Sequence, residues 1–212
     1  APDTALAAQA YEKLGYVQLY NLKLPVLARD TYRKAASVPG YTNAEYCMQM
    51  YCNAIERIEP RDWAALAAGY EEFLKRFAGA STDASMRNRL AGIYQFNLKD
   101  LRNALRVREE FDQMYGKSSV AVDNLYGLVQ LAQAEKKHFS KGFAAAKRLV
   151  DEFGLTHEQA ADAVGRSRPA TSNLLRLLQL SATVQDLLMD GKLDMGHARA
   201  LLPLKSAQQV AA

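Results

Sequence analysis

The chain has 212 residues, 49% of them hydrophobic and 24% charged, and a formal charge of +4 from 27 Lys and Arg against 23 Asp and Glu. That balance supports one large or two small folded domains and excludes both a disordered basic tail and an acidic solvating segment, so any affinity for nucleic acid must be local. No apolar run approaches the ~20 residues that a membrane span requires, and the opening Ala1-Pro2-Asp3-Thr4 lacks a charged start followed by an apolar stretch. No membrane partner is expected. The C-terminal Ser206–Ala212 reads as a helix stopped in mid-turn, so the chain is read as a fragment.

Strong helix formers dominate, alanine above all, and period-two runs of β-branched residues are absent, which predicts an all-α fold. In chain order, Leu24-Pro25, Pro39-Gly40, Pro60, Ala78–Ser81, Asn97–Asp100 and Gly116–Ser119 read as turns. They cut the first two-thirds into segments of ~12–18 residues, ordinary helix lengths, which should pair antiparallel. Cys47 and Cys52 share one apolar helical segment and are read as buried thiols, since the spacing is awkward for a disulfide and no second pair completes a zinc site.

Tyr11–Gly40 and Arg87–Gly116 lie 76 residues apart and share six identities in thirty: Leu14/Leu90, Asn21/Asn97, Leu22/Leu98, Lys23/Lys99, Ala28/Ala104 and Gly40/Gly116. The small residues Gly15 and Ala91 also correspond, so that a first and a second helix approach closely around a turn written Asn-Leu-Lys in both copies. Half the interval matches Tyr32 with Tyr70 and Ala35 with Phe73. The pattern Tyr11-x-x-Leu14-Gly15, Ala28-x-x-x-Tyr32-x-x-Ala35, Pro39 resembles the tetratricopeptide repeat over about residues 4–137, with one residue more between its two helices than that family ordinarily has. The resemblance implies a helical-hairpin array over residues 1–139 with a concave groove for a protein or peptide partner. Tyr16, Tyr20, Tyr94, Phe96 and Tyr126, at helical spacing, are expected to pack between hairpins.

From about Lys141 the pattern becomes a helix-turn-helix. Thr156 and Gln159 have capping-box spacing, Ala160, Ala161 and Val164 form a small apolar face, and Gly165 supplies backbone freedom for a tight turn. Ser167 then caps a second helix, Pro169 sits in its first turn, and Leu174, Leu175, Leu177 and Leu178 anchor it. Its outward positions carry Ser167, Arg168, Thr171, Ser172, Asn173 and Arg176. Between Ala163 and Gln185 there are three arginines and no acidic residue. Arg reaches guanine bidentately, Asn pairs with adenine, and Ser, Thr and helix N-terminal amides grip phosphates, so this helix is a candidate for entry into a major groove.

The runs Leu149–Gln159, Val164–Arg168, Ser172–Leu178 and Asp190–Leu202 resemble the central DNA-binding domain of the ParB chromosome-partitioning family. That resemblance places a truncated helix-turn-helix DNA-binding domain at residues 140–212, and the seam between Glu135 and Lys141. It implies a cytoplasmic, nucleoid-associated bacterial protein that binds palindromic partition-type sites in double-stranded DNA. The groove-facing set would be Ser167, Arg168, Ser172, Asn173 and Arg176, with His197 and Arg199 on a supporting helix near the DNA backbone. Where that family carries a nucleotide-binding segment this chain has helical hairpins, so nucleotide-dependent clamping is not expected.

No catalysis, cofactor or metal site is assigned. His138, His157 and His197 are far apart with no Glu or Cys at ligand spacing, and neighbouring Asp151 and Glu152 diverge around a helix and read as a solvated face. The alternative to DNA binding is a protein-interaction scaffold that works through the repeat groove alone.

Overall fold

The computed structural model describes residues 4–134, 139–156 and 176–211. Among them all regular structure is helical. The chain divides into two compact units, Ala1–Asp100 and Leu101–Ala212.

The first unit contains α1 (Ala5–Tyr16), α2 (Pro25–Ser37), α3 (Ala44–Glu56), α4 (Trp63–Arg76) and α5 (Asp83–Gly92). Helix starts follow local chemistry. The Thr4 hydroxyl accepts from the Ala7 amide, Pro25 opens α2 where no amide donor is needed, and the Asp62 carboxylate accepts from the Ala65 amide at 2.9 Å. Successive helices pack on one another, α1 on α2, α2 on α3, α3 on α4 and α4 on α5. Short connections make such neighbours antiparallel. Gly15 is the closest point of the first pair, because a Cβ there would meet the Tyr32 ring at 3.0 Å. Tyr32 and Tyr70, matched at half the repeat interval, are both buried, as are Ala35 and Phe73.

The two repeat copies are alike in backbone as well as in sequence. Both α1 and α5 run into a π-turn, Val17–Asn21 and Ile93–Asn97. The Leu22 amide donates to the Val17 carbonyl at 2.9 Å, and the Leu98 amide to the Ile93 carbonyl at 3.0 Å. Lys23 and Lys99 then take positive φ, 59° and 57°. The amides after them reach back to Gln18 and Tyr94, both at 2.8 Å. A π-turn holds one residue more than an α-turn, so the extra residue between the paired helices is absorbed without shifting the second helix out of phase. The same geometry corrects one expectation. Tyr16 and Phe96 are each 51% exposed rather than packed between hairpins, whereas Tyr20, Tyr94 and Tyr126 are partly buried. Phe96 lies inside the wider turn, where each residue advances less than 100° and the helical phase of the preceding α5 no longer applies. Tyr16 is turned away from Gly15 and lies against the Tyr20 ring, with centroids 5.0 Å apart.

The second unit contains α6 (Leu101–Tyr115), α7 (Ala121–Ala134), α8 (Phe139–Asp151), α9 (Ala182–Met189), α10 (Met195–Leu201) and α11 (Ser206–Ala211). One apolar cluster joins them: Leu125 and Val129 of α7, Phe143 and Leu149 of α8, Leu177 and Leu180, Val184 and Leu188 of α9, and Ala198 of α10. Helices α7 and α8 approach closely at Gly142, where a Cβ would stand 2.1 Å from that of Ala132. Arg148 of α8 holds the end of α6, donating to both Asp112 carboxylate oxygens at 2.7 and 2.9 Å and to the Gly116 carbonyl at 2.6 Å. The packing boundary at Asp100 therefore precedes the 139/140 division read from sequence. Helices α6 and α7 compact with the C-terminal segment because α7 supplies part of its core.

Candidate nucleic-acid interface

The described part of the candidate interface begins at Arg176, which is exposed, while the next residue, Leu177, is completely buried. The chain leaving that helix is fixed by two buried glutamines. Gln185 of α9 donates through Nε2 to the carbonyls of Leu178 and Leu180, both at 2.8 Å. Gln209 of α11 accepts from the Ser181 amide at 2.8 Å and donates to the Leu204 carbonyl at 2.9 Å. Buried backbone groups between two helices need such partners, and the glutamines supply them from positions 24 residues apart in sequence. The rotation of Leu177 into the core, with Arg176 outside, thus rests on α9 and α11 together.

The supporting helix α10 is capped by Asp194. Its Oδ1 accepts from the amides of Gly196 at 2.6 Å and His197 at 3.0 Å, and its Oδ2 lies 2.5 Å from His197 Nδ1. The His197 amide, with the Gly196 amide and the imidazole, holds the Asp194 carboxyl below the ordinary aspartate range. Ala198 is buried and faces the core, and His197 and Arg199 on either side of it are exposed. That exposure removes packing as a role for His197, whose Nδ1 is held by Asp194, and leaves Arg199 open to solvent. Lys205 is exposed beyond α10, and Lys192 is exposed before it, paired with Asp190 at 2.9 Å.

Of the residues singled out in the sequence, Arg176, His197 and Arg199 are therefore on the surface of the second unit. Ser167, Arg168, Thr171, Ser172 and Asn173 lie outside the described residues, as do Gln159, Ala160, Ala161, Val164, Gly165, Leu174 and Leu175. Sequence reading missed Gln185, Gln209 and Arg148. A polar residue on an otherwise apolar helix face, as Gln185 is beside Val184 and Leu188, was the available signal for the first of them. Glu152, read as a solvated acid, is paired with Arg148 one turn before it. Among the described residues no group of His, Cys, Asp and Glu is arranged to hold a metal ion, and no helix is long and apolar enough to cross a membrane.

Residues 141–212 match the ParB HTH domain family. The probable chromosome-partitioning protein ParB of Neisseria meningitidis is 51% identical over 84 residues, 40% of this chain and 29% of that protein. Its counterpart in Coxiella burnetii is 50% identical over 82 residues, 39% of this chain and 28% of the relative. That of Xylella fastidiosa is 53% identical over 77 residues, 36% and 25% respectively. The match thus spans under a third of the length of these relatives. No solved structure matches the chain. The buried leucine face and the capped supporting helix thus lie in a segment, residues 141–212, that is similar to the ParB helix-turn-helix domain.

Proposed function

We propose that the chain binds double-stranded DNA sequence-specifically through residues 140–212, without catalysis, in chromosome or plasmid partitioning. The observation that carries this reading is the ParB helix-turn-helix match over residues 141–212. Exposed Arg176, His197 and Arg199 agree with it. The helix Ser167–Leu178 enters the major groove: Arg168, Asn173 and Arg176 read base edges, while Ser167, Thr171 and Ser172 hold phosphates. His197 and Arg199 contact the backbone of the same half-site. A palindromic partition-type site is the preferred target, and the nucleoid of a bacterial cytoplasm is where it would be met.

Residues 1–139 act as a tetratricopeptide-like platform for a protein or peptide. The doubled π-turn geometry supports a repeat, and an open cavity of about 370 Å³ near α3, α4 and α5, lined by Trp63, Phe96, Arg57, Arg61 and Arg89, gives it apolar and cationic surface. The scaffold-only reading rests on the same features.

The test is a fluorescence-anisotropy titration of the intact chain against operator and scrambled duplexes at two salt concentrations. Tighter binding to operator is expected. Arg168→Ala with Arg176→Ala should remove most of that preference, at about 1–3 kcal/mol for each lost base contact. Arg199→Ala should weaken both duplexes alike and lower the salt slope by about one. Equal affinity for both duplexes, unchanged in the double variant, would refute the DNA reading. Retention of protein partners after deletion of residues 141–212 would then favour the scaffold.

A further inference from the structure

The cavity near α3, α4 and α5 holds a cation that the first unit leaves without an acid. Six of the seven arginines in residues 4–100 lie within salt-bridge distance of a carboxylate. Arg57, which ends α3, is the exception among the described residues. Its guanidinium lies over the Tyr20 ring instead, 4.9 Å from the centroid. A ring face fixes the orientation of that planar group but takes up none of its N–H donors. Arg57 is exposed, so those donors are held in place and open to an acceptor.

Two more guanidinium groups share the cavity wall. Arg61 lies over the Trp63 ring at 5.1 Å and meets Glu59 at 2.8 Å, in a pair whose carboxylate is 67% exposed and which therefore holds weakly. Arg89 pairs with Glu56, and Glu56 also accepts from the Tyr70 hydroxyl at 2.8 Å. Among the described residues Glu56 is the one acid on the wall, against three arginines. Like charges sharing a cavity around one engaged carboxylate repel one another, and a bound anion relieves that repulsion. The rest of the wall is apolar and comes from the second π-turn, which places Ile93 and Phe96 there. Phe96 stands 76 residues after Tyr20, at the same position of the repeat. In the first copy that ring carries Arg57, whereas in the second the ring is half exposed with no cation over it among the described residues.

We propose that this cavity binds a phosphate monoester on an aromatic stem, as on a phosphotyrosine side chain of a peptide, with Arg57 and Arg61 on the phosphate oxygens and Phe96 against the ring. A phosphate monoester carries a charge of about −1.5 to −2 at neutral pH and three acceptor oxygens, enough for two guanidinium forks at once. A carboxylate brings half that charge. The cavity, about 370 Å³ and open to solvent, is at the small end of the ~300–1,000 Å³ range of ligand pockets and takes one side chain while the peptide backbone stays outside. Duplex DNA fits less well, because each of its phosphates carries a single charge and its bases are stacked away from Phe96. The proposal rests on the reading of residues 1–139 as a peptide platform, whose ligand it names, and is independent of DNA binding by residues 140–212.

Trp63 is the one tryptophan of the chain, so its fluorescence reports on the cavity directly. The intact chain is titrated at constant ionic strength with phenyl phosphate, phenol and inorganic phosphate, and with a short phosphotyrosine peptide and its unphosphorylated form. Phenyl phosphate and the phosphopeptide should give saturable changes, the phosphopeptide the tighter, and phenol and the unphosphorylated peptide none. Inorganic phosphate should bind about tenfold more weakly than phenyl phosphate. Arg57→Gln, at an exposed position without an ion pair, should leave the circular dichroism spectrum unchanged and weaken phenyl phosphate about tenfold or more. Phe96→Ala should bring phenyl phosphate down to the affinity of inorganic phosphate. Lys75→Gln removes the same charge from α4 about 18 Å along the helix from Trp63 and should change neither. The proposal is overturned by the absence of a saturable response, by equal responses to phenol and phenyl phosphate, or by an Arg57→Gln chain that binds as before or no worse than Lys75→Gln. A phosphopeptide no tighter than phenyl phosphate would assign the cavity to a free phosphate ester, and duplex DNA that displaces the phosphopeptide from the Arg168→Ala, Arg176→Ala chain would assign it to nucleic acid; either overturns the peptide. Capture of a protein partner by a chain that gives no phosphate response would overturn this ligand and leave the platform standing.

Discussion

Helix α7 precedes residues 141–212, the segment matched by the ParB HTH family, yet supplies Leu125, Leu128 and Val129 to the core of that segment. Leu125 is fully buried and Leu128 and Val129 are 8% and 1% exposed. Burial of such side chains contributes roughly 1.5–3 kcal/mol each, about 6 kcal/mol for the three, against about 5–15 kcal/mol for the stability of a whole domain. Residues 141–212 expressed alone should therefore be molten, whereas residues 101–212 should unfold cooperatively. Within the intact chain, Leu125→Ala leaves a cavity against α8 and should cost about 2–5 kcal/mol. At about 4 °C per kcal/mol, the second unit should melt roughly 8–20 °C lower. Hydrogen exchange is the decisive readout, because amides of α9 and α10 should lose protection although neither helix is mutated. A fragment 141–212 that melts as cooperatively and as high as 101–212, or unchanged protection of α9 and α10 in Leu125→Ala, would refute the shared core.

Other outcomes follow from single contacts. Gly127→Ala should destabilise the second unit by about 1–3 kcal/mol by chemical denaturation, since its Cβ would stand 1.8 Å from Arg108 Cζ and the buried guanidinium must move. Gln185→Leu should cost about 1–3 kcal/mol by leaving the Leu178 and Leu180 carbonyls without their donor, and should weaken DNA binding more than exposed Gln179→Leu, which forms no such contact in the same stretch. Burial raises the thiol pKa of Cys47 and Cys52 from 9.0 to about 12. Their contribution to stability is fully present below pH 9 and is lost as pH rises toward 12, so the native protein should resist alkylation at pH 8 and react on unfolding. The Asp194 carboxyl shifts the other way, and the cap of α10 should persist above the ordinary aspartate value of 3.8 and release as pH falls through its lower folded value, followed by the His197 imidazole resonances.

The sequence signals that point to the candidate interface are local, although most of the residues that carry them lie outside the described ones. Gly165 after an apolar helix, Ser167 and Pro169 opening the next, and arginines without acids across Ala163–Gln185 are all read within a few turns of chain. Exposure of Arg176, His197 and Arg199 agrees with that reading. The glutamine clamp was not legible, because Gln185 and Gln209 act on carbonyls and amides whose positions depend on how α9 and α11 pack.

The sequence alone determined that the fold is helical, where its turns fall, that two stretches 76 residues apart repeat one another, and that the C-terminal third has the order of a helix-turn-helix. Propensity, capping and periodicity are properties of neighbouring residues and need no partner. Only the tertiary structure decided that the extra residue in each repeat becomes a π-turn, that Tyr16 and Phe96 stand outside the core, and that α7 shares a core with α8 and the helices after Arg176. An apolar face states that it must be covered, but the identity of the cover is settled by which distant helix the chain brings against it.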